Sequence, residues 1–136
     1  MRKINFRAYD EVEKKMCLVT KIDWIEEVVI LSYAKPFTEK HEEYERDFDD
    51  IELMQYTGLV DVNGEELYEK DLVIDTETDR VFVVEYESGQ YVINRYKYIA
   101  GIKEAIEFGE LRDMKYCVEK IGNELSDPEL AGWEND

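Results

Sequence analysis

The stretch Gln55–Val73, QYTGLVDVNGEELYEKDLV, decides how this chain is read. A strand-like lead, Ile51–Leu59, runs into Asp61-Val62-Asn63-Gly64, and a second apolar run continues through Leu67 and Leu72 to Ile74. Asn-Gly between two such runs is a strong hairpin signal, because a two-residue primed turn needs positive φ at both central positions. The expectation is therefore a hairpin, with Leu59, Leu67 and Leu72 facing a core. Nothing in the stretch has the makings of chemistry.

Outward from it, strand signals dominate. INFRAYD near the N-terminus alternates Ile4, Phe6 and Ala8 against Asn5, Arg7 and Tyr9. Met16–Ile25 and Glu27–Tyr33 are rich in β-branched and aromatic residues and predict two more strands around a short turn that has no glycine. Pro36 closes this group, since it cannot donate to a ladder. Thr38–Asp50 carries nine acids and bases and reads as a short helix or a loop, the best place for a boundary. Val81–Tyr96 reads as two strands hinged on Ser88-Gly89. Ile102–Phe108 offers the good helical spacing, through Ile102, Ala105 and Ile106 between Gly101 and Gly109. Lys115–Asn123 reads as a last strand, and the acidic tail from Pro128 is expected to fray.

The fold class expected is mainly β: a β-rich N-terminal lobe over residues 1–50, then a small SH3-like β-barrel with one short helix over 51–136, packed as one unit.

Composition narrows the function classes. The chain has 136 residues, 44% apolar and 12% aromatic, enough for a core despite 38% charged residues. Its net charge of −17 is unequal, about −4 over residues 1–50 and −13 over 51–136. Such a surface repels phosphate backbones, so no direct nucleic-acid binding is expected. No apolar run approaches the ~18 residues that a spanning helix needs, and Met1–Phe6 leads into no signal-type apolar region. A protein of the cytoplasm with no membrane association is the expectation.

Candidate chemistry is sparse. His41 stands alone, so no histidine-based dyad or zinc set can be assembled. Cys17 and Cys117 lie far apart and read as two reduced thiols, without a local base to activate either. Asp47, Asp49 and Asp50 are a possible oxygen-ligand set for Mg²⁺ or Ca²⁺, yet lack the glycine and terminal glutamate of a calcium loop. Asn94–Tyr98 interleaves Arg95 and Lys97 with Tyr96 and Tyr98. That pattern suits single-strand binding, and equally an ordinary half-buried strand. No catalytic, cofactor or metal residue is assigned, no cofactor is expected, and the chain is read as a non-enzyme.

Three segments together, INFRAYD (Ile4–Asp10), DIELMQYTGLVDVNGEELYEKDLV (Asp50–Val73) and KIGNELSDPEL (Lys120–Leu130), resemble the YopX protein family. The resemblance implies a phage or prophage origin, an SH3-like barrel and work in the host cytoplasm, and it brings no assigned biochemical activity or catalytic residue. Partners implied are a host or phage protein, or a second copy of the chain. An acidic decoy that imitates nucleic acid is the alternative, and it requires carboxylates in an elongated double row. Two positions depart from the family pattern: Lys70 stands where glycine is usual, and Leu125-Ser126 where an aromatic is usual.

Overall fold

The computed structural model describes residues 5–34, 41–114 and 117–135. The readings placed on Met1–Ile4, Pro36, the His41 side chain and Lys115-Tyr116 lie outside them. The described residues are mainly β-strand, in two antiparallel sheets with a single short helix. They divide into two compact units that meet within one strand, between Gln55 and Tyr56.

In the first unit, β1 (Phe6–Asp10), β2 (Lys15–Asp23), β3 (Val28–Ala34) and β4 (His41–Asp47) form an antiparallel meander. A 3₁₀ turn, Phe48–Asp50, leads into β5 (Ile51–Val60), which returns beside β1 to give the order β4-β3-β2-β1-β5. Ala8 lies opposite both Cys17 and Leu53. It belongs to a core with Cys17, Val29 and Leu31, flanked by Tyr33, Tyr44 and Phe48. The charged segment before Asp50 is thus largely a strand. Its alternation of Glu43, Glu45 and Asp47 outward against half-buried Glu42, Tyr44 and Arg46 has period two, which its high charge hid.

The second unit starts with the remainder of β5, where Thr57 and Gly58 break the ladder. Gly58 has φ 85°, and the buried Thr57 hydroxyl donates to Leu67 O at 2.8 Å and accepts from the Leu59 amide at 3.1 Å. This bulge lets β5 pair with β6 (Glu66–Tyr68). The hairpin forms as expected, with a different turn. Gly64 has positive φ and Asn63 does not, and the Asp61 carboxylate accepts both the Asn63 and Glu65 amides at 2.9 Å. A side-chain cap, rather than a primed turn, holds the corner.

After β6 the chain turns through Glu69-Lys70 into β7 (Asp71–Asp75), so the second apolar run is two strands. β8 (Val81–Glu87) and β9 (Gln90–Ile99) follow, joined at Ser88 (φ 50°) and Gly89 (φ 86°). β10 (Ile102–Glu110) pairs with β9 across a second turn of that kind, Ala100 (φ 51°) and Gly101 (φ 79°). Positive φ at both central residues matches the twist of a hairpin, which explains why the segment folds back as a strand instead of the expected helix. A bulge between Ala105 and Glu107 adds one residue to β10 and mimics helical spacing of its apolar positions. The one helix, α1 (Leu111–Met114), comes immediately after and contributes Leu111 to the core.

β11 (Val118–Asn123) completes a five-stranded sheet of order β10-β9-β8-β7-β11. One face packs Val73, Phe82, Val84 and Ile93 with Leu67, Leu111 and Val118. The other packs Leu72 and Val83 with Ala131, Tyr96 and Trp133. The described part of the tail is held in place instead of frayed: a 3₁₀ turn, Pro128–Ala131, precedes Trp133, whose indole donates to Val81 O at 3.3 Å and meets the Tyr96 ring edge-on at 5.1 Å.

Asp71 ties these elements together. Its side chain is fully buried, accepts the Tyr68 amide at 2.8 Å and Asn123 Nδ2 at 3.1 Å, and pairs with Lys120 Nζ at 3.3 Å. Removing one partner of a buried pair leaves the other uncompensated. Asp71→Ala is expected to lower the unfolding free energy by about 3–5 kcal/mol, measured by urea denaturation. Lys70, which has φ 70°, pays the steric penalty of a left-handed side chain. Lys70→Gly is expected to raise stability by about 1 kcal/mol or slightly less, because the more flexible unfolded chain offsets part of the relief. A lower denaturation midpoint for Lys70→Gly would contradict this.

Candidate functional site

The first unit holds a buried polar centre built on β1 and β4. Tyr44 Oη donates to Asp10 Oδ2 at 2.6 Å, Arg46 Nε reaches Oδ1 at 3.3 Å, and the Val12 and Glu13 amides donate to Oδ1 at 2.9 and 3.3 Å. Cys17 Sγ lies 3.4 Å from Tyr44 Oη. Burial pushes the Asp10 carboxyl up, but the hydrogen bonds from Tyr44 and the Glu13 and Val12 amides, with the Arg46 charge, outweigh it and hold the group below its usual value. Burial pushes the Cys17 thiol up, against its contact with Tyr44 and the Lys15 charge. It pushes the Tyr44 phenol up as well, reinforced by Asp10 and Cys17. A thiol and a phenol that both resist ionisation are poor nucleophiles. Asp10 has zero exposure and a full set of donors, so it has no approach for a substrate.

The other candidates named from sequence are not assembled into a site. Asp47 ends β4, and Asp49 and Asp50 sit in the 3₁₀ turn that follows. Among the described residues no three His, Cys, Asp or Glu side chains group to hold a metal ion. Cys17 and Cys117 are both free. Arg95 and Lys97 share a strand face, each opposite an acid of β10: Glu107 faces Arg95 and Glu104 faces Lys97. Arg95 Nε lies 2.9 Å from Glu107 Oε2, which also takes Arg80 Nη1 at 3.1 Å. These bases are matched across the strand pair. Tyr96 packs against Trp133, as the half-buried-strand reading expects.

The turn between β2 and β3 forms as expected, but it takes in Trp24 and Ile25, which the sequence placed at the end of a strand. Asp23 Oδ1 accepts the Ile25 and Glu26 amides at 3.0 and 2.9 Å, Glu27 takes φ 56°, and Glu27 O accepts the Phe48 amide at 2.9 Å. On this pinned loop Ile25 is 91% and Trp24 65% exposed, and the Trp24 ring meets Phe48 edge-on at 5.5 Å. Asp23, Glu26 and Glu27 surround them in sequence. The signal was present as an apolar pair in a turn without glycine, where polar residues are the rule. Edge strand β4 adds a second surface feature. Glu43, Glu45 and Asp47 point outward at alternate positions, roughly 6–7 Å apart along the strand. That is one row of acids, not two.

Residues 5–131 match the YopX protein family model. The chain belongs to the YopX family. The three resembling segments now have a structural meaning for this YopX chain: each supplies a buried acid or amide, Asp10, Asp61 with Asp71, and Asn123, that fixes a corner of the backbone. Among solved structures the chain is similar to the crystal structure of protein EF1440 from Enterococcus faecalis, at 22% identity and a TM-score of 0.62, over 96% of this chain and 99% of that one. That likeness concerns the fold. Among curated proteins none matches. No helix among the described residues is long and apolar enough to cross a membrane.

Because the folded carboxyl of Asp10 is held below its unfolded value, its contribution to stability is present above the unfolded aspartate pKa, about 3.9. It is lost as pH falls from there through the folded value. Amide protection factors in β1 and β2 are expected to decline as pH drops from 5 to 3, and to decline less in Asp10→Asn. An identical pH profile in the variant would refute the assignment.

Proposed function

We propose that this protein is a non-enzymatic interaction module of a phage or prophage, acting in the host cytoplasm by docking the Trp24–Ile25 tip into an apolar pocket of a host or phage protein. The carrying observation is Ile25, 91% exposed on a loop whose turn the Asp23 carboxylate caps. Exposing an isoleucine forgoes about 1.5–3 kcal/mol of burial, and the fold gains nothing from it. A preformed tip loses little conformational entropy on binding, and buried aromatic anchors dominate many interfaces. The neighbouring acids favour a pocket rimmed by lysine or arginine. In the same reading the second unit is a small SH3-like barrel that serves as scaffold. The bulges in β10 and β11 supply the curvature that such a barrel requires.

An acidic decoy for a nucleic-acid-binding protein is the second reading, and the β4 row of Glu43, Glu45 and Asp47 gives it one of the two rows it requires. One experiment separates the two. A photo-crosslinker at position 25, in a host expressing the protein, is expected to give a discrete adduct with a host or phage protein. A crosslinker at exposed Gln90 is expected to give none. Trp24→Ala should abolish the adduct, whereas Glu43→Gln, Glu45→Gln and Asp47→Asn together should leave it. The reverse pattern favours the decoy. Equal labelling from positions 25 and 90 eliminates the tip, and an adduct made only with a second copy of the chain identifies self-association instead.

A further inference from the structure

A cleft of about 290 Å³ in the second unit is walled by Tyr98, Glu124, Pro128, Glu129 and Trp133, with the backbone turn at Ala131-Gly132 as the rest of its lining. It carries two aromatic residues and two carboxylates, and among the described residues no lysine or arginine lines it. Lys103 Nζ bonds Glu124 Oε1 at 3.0 Å from outside the lining. Glu124 Oε2 is buried and, among the described residues, is the buried side-chain oxygen without a hydrogen bond. An unsatisfied buried acceptor of this kind is costly, more so when it carries charge. One of these rings already meets a cation: Lys103 Nζ sits 5.0 Å from the Trp133 ring centroid, and 4.3 Å from that of Tyr96, which packs on Trp133 outside the lining.

We infer that this cleft receives a single cationic side chain, an arginine presented by a basic peptide segment. Its planar guanidinium can stack on an aromatic ring while its N–H groups reach Glu124 and Glu129. A metal ion is the wrong class for this lining, since two carboxylates beside aromatic walls offer too few oxygens for Ca²⁺ or Mg²⁺. A free polyamine, which needs several spaced acids, finds two here. The site is separate from the Trp24–Ile25 tip and stands or falls without it.

The test uses the whole chain and the peptide acetyl-Gly-Arg-Gly-amide, with the neutral citrulline peptide as its isostere. In ¹⁵N–¹H spectra the arginine peptide is expected to produce saturable shifts confined to the Trp133 indole and the amides of Tyr98, Glu124 and Glu129. Binding near millimolar Kd is about what one side chain can supply. Glu129 is exposed, so Glu129→Gln keeps the fold and should weaken binding about threefold to tenfold. Lys103→Met removes the internal competitor for Glu124 and should strengthen binding by a similar factor. Equal shifts from the citrulline peptide, shifts scattered over the acidic surface, or a Glu129→Gln protein that binds unchanged would each overturn the proposal. Spermidine shifting the same resonances at lower concentration than the peptide would overturn the peptide source.

Discussion

The second unit depends on one buried anion. Asp71 stands between the turn that starts β7 and the end of β11, and its two oxygens are taken by a backbone amide, an asparagine amide and a lysine. Burying an ion this deeply costs several kcal/mol unless its lone pairs are filled. Here the filling groups come from Tyr68, just before it in sequence, and from Lys120 and Asn123, about fifty residues later. Lys120 extends the link, because its Nζ donates to Glu66 O and its amide donates to Asp61 Oδ2. The two aspartates of the Gln55–Val73 segment are thus joined through β11. None of these groups can be moved without orphaning another, which makes the arrangement specific as well as stable.

The same device recurs at several of the chain's turns. Asp10, Asp23, Asp61, Asp75 and Asn123 each accept one or more backbone amides a few residues ahead. This alters what the acidic composition means. Part of the chain's negative charge works as internal fastening in corners where glycine-based turns are few. Positive φ at Lys14, Glu27, Lys70, Asp79, Ser88 and Ala100 shows the cost of making turns from ordinary residues. The side-chain caps help to offset it. Asp79, for example, follows a corner in which Asp75 accepts the Glu77 amide and the Asp79 amide bonds Asp75 O.

The legible parts of the fold were those where local chemistry and tertiary outcome agree. Ser88-Gly89 and Gly64 are placed in corners, and β1, β2, β3, β5, β8 and β9 follow from period-two patterning. The expectations that failed share a cause, a local pattern overruled by a partner outside the segment. Ile102–Phe108 has helix spacing, but the Ala100-Gly101 turn delivers it to β9, and the bulge absorbs the mismatch. Residues 41–47 look too charged for a strand, but β3 offers a ladder, and Asp10 captures Tyr44 and Arg46 from the inner face. The tail is held by Trp133, whose packing against Tyr96 no local signal announces. The candidate sites were harder still. An exposed isoleucine is visible as a site only when its surroundings are known, and a cleft is not a property of any one segment.

Where every level of a structure agrees, there is little to attribute to function. The ionisable centre around Asp10 and the one around Asp71 are both closed: their acceptors are filled, their access is nil, and what they accomplish is the fold. The departures from consistency lie elsewhere. Trp24 and Ile25 forgo burial on a loop capped by Asp23, and Glu124 keeps an oxygen unpaired in the lining of a cleft with Tyr98 and Trp133. Trp24 keeps its edge contact with Phe48 and Glu124 its pair with Lys103, but the exposed Ile25 side chain and the unpaired Glu124 oxygen add nothing to the fold. The first leaves apolar area in water and the second leaves an anion half satisfied, and a second molecule would relieve both penalties. Such penalties are more informative about binding than the number of acids on the surface, because a solvated glutamate costs nothing to keep, whereas these residues impose a standing cost on the free protein.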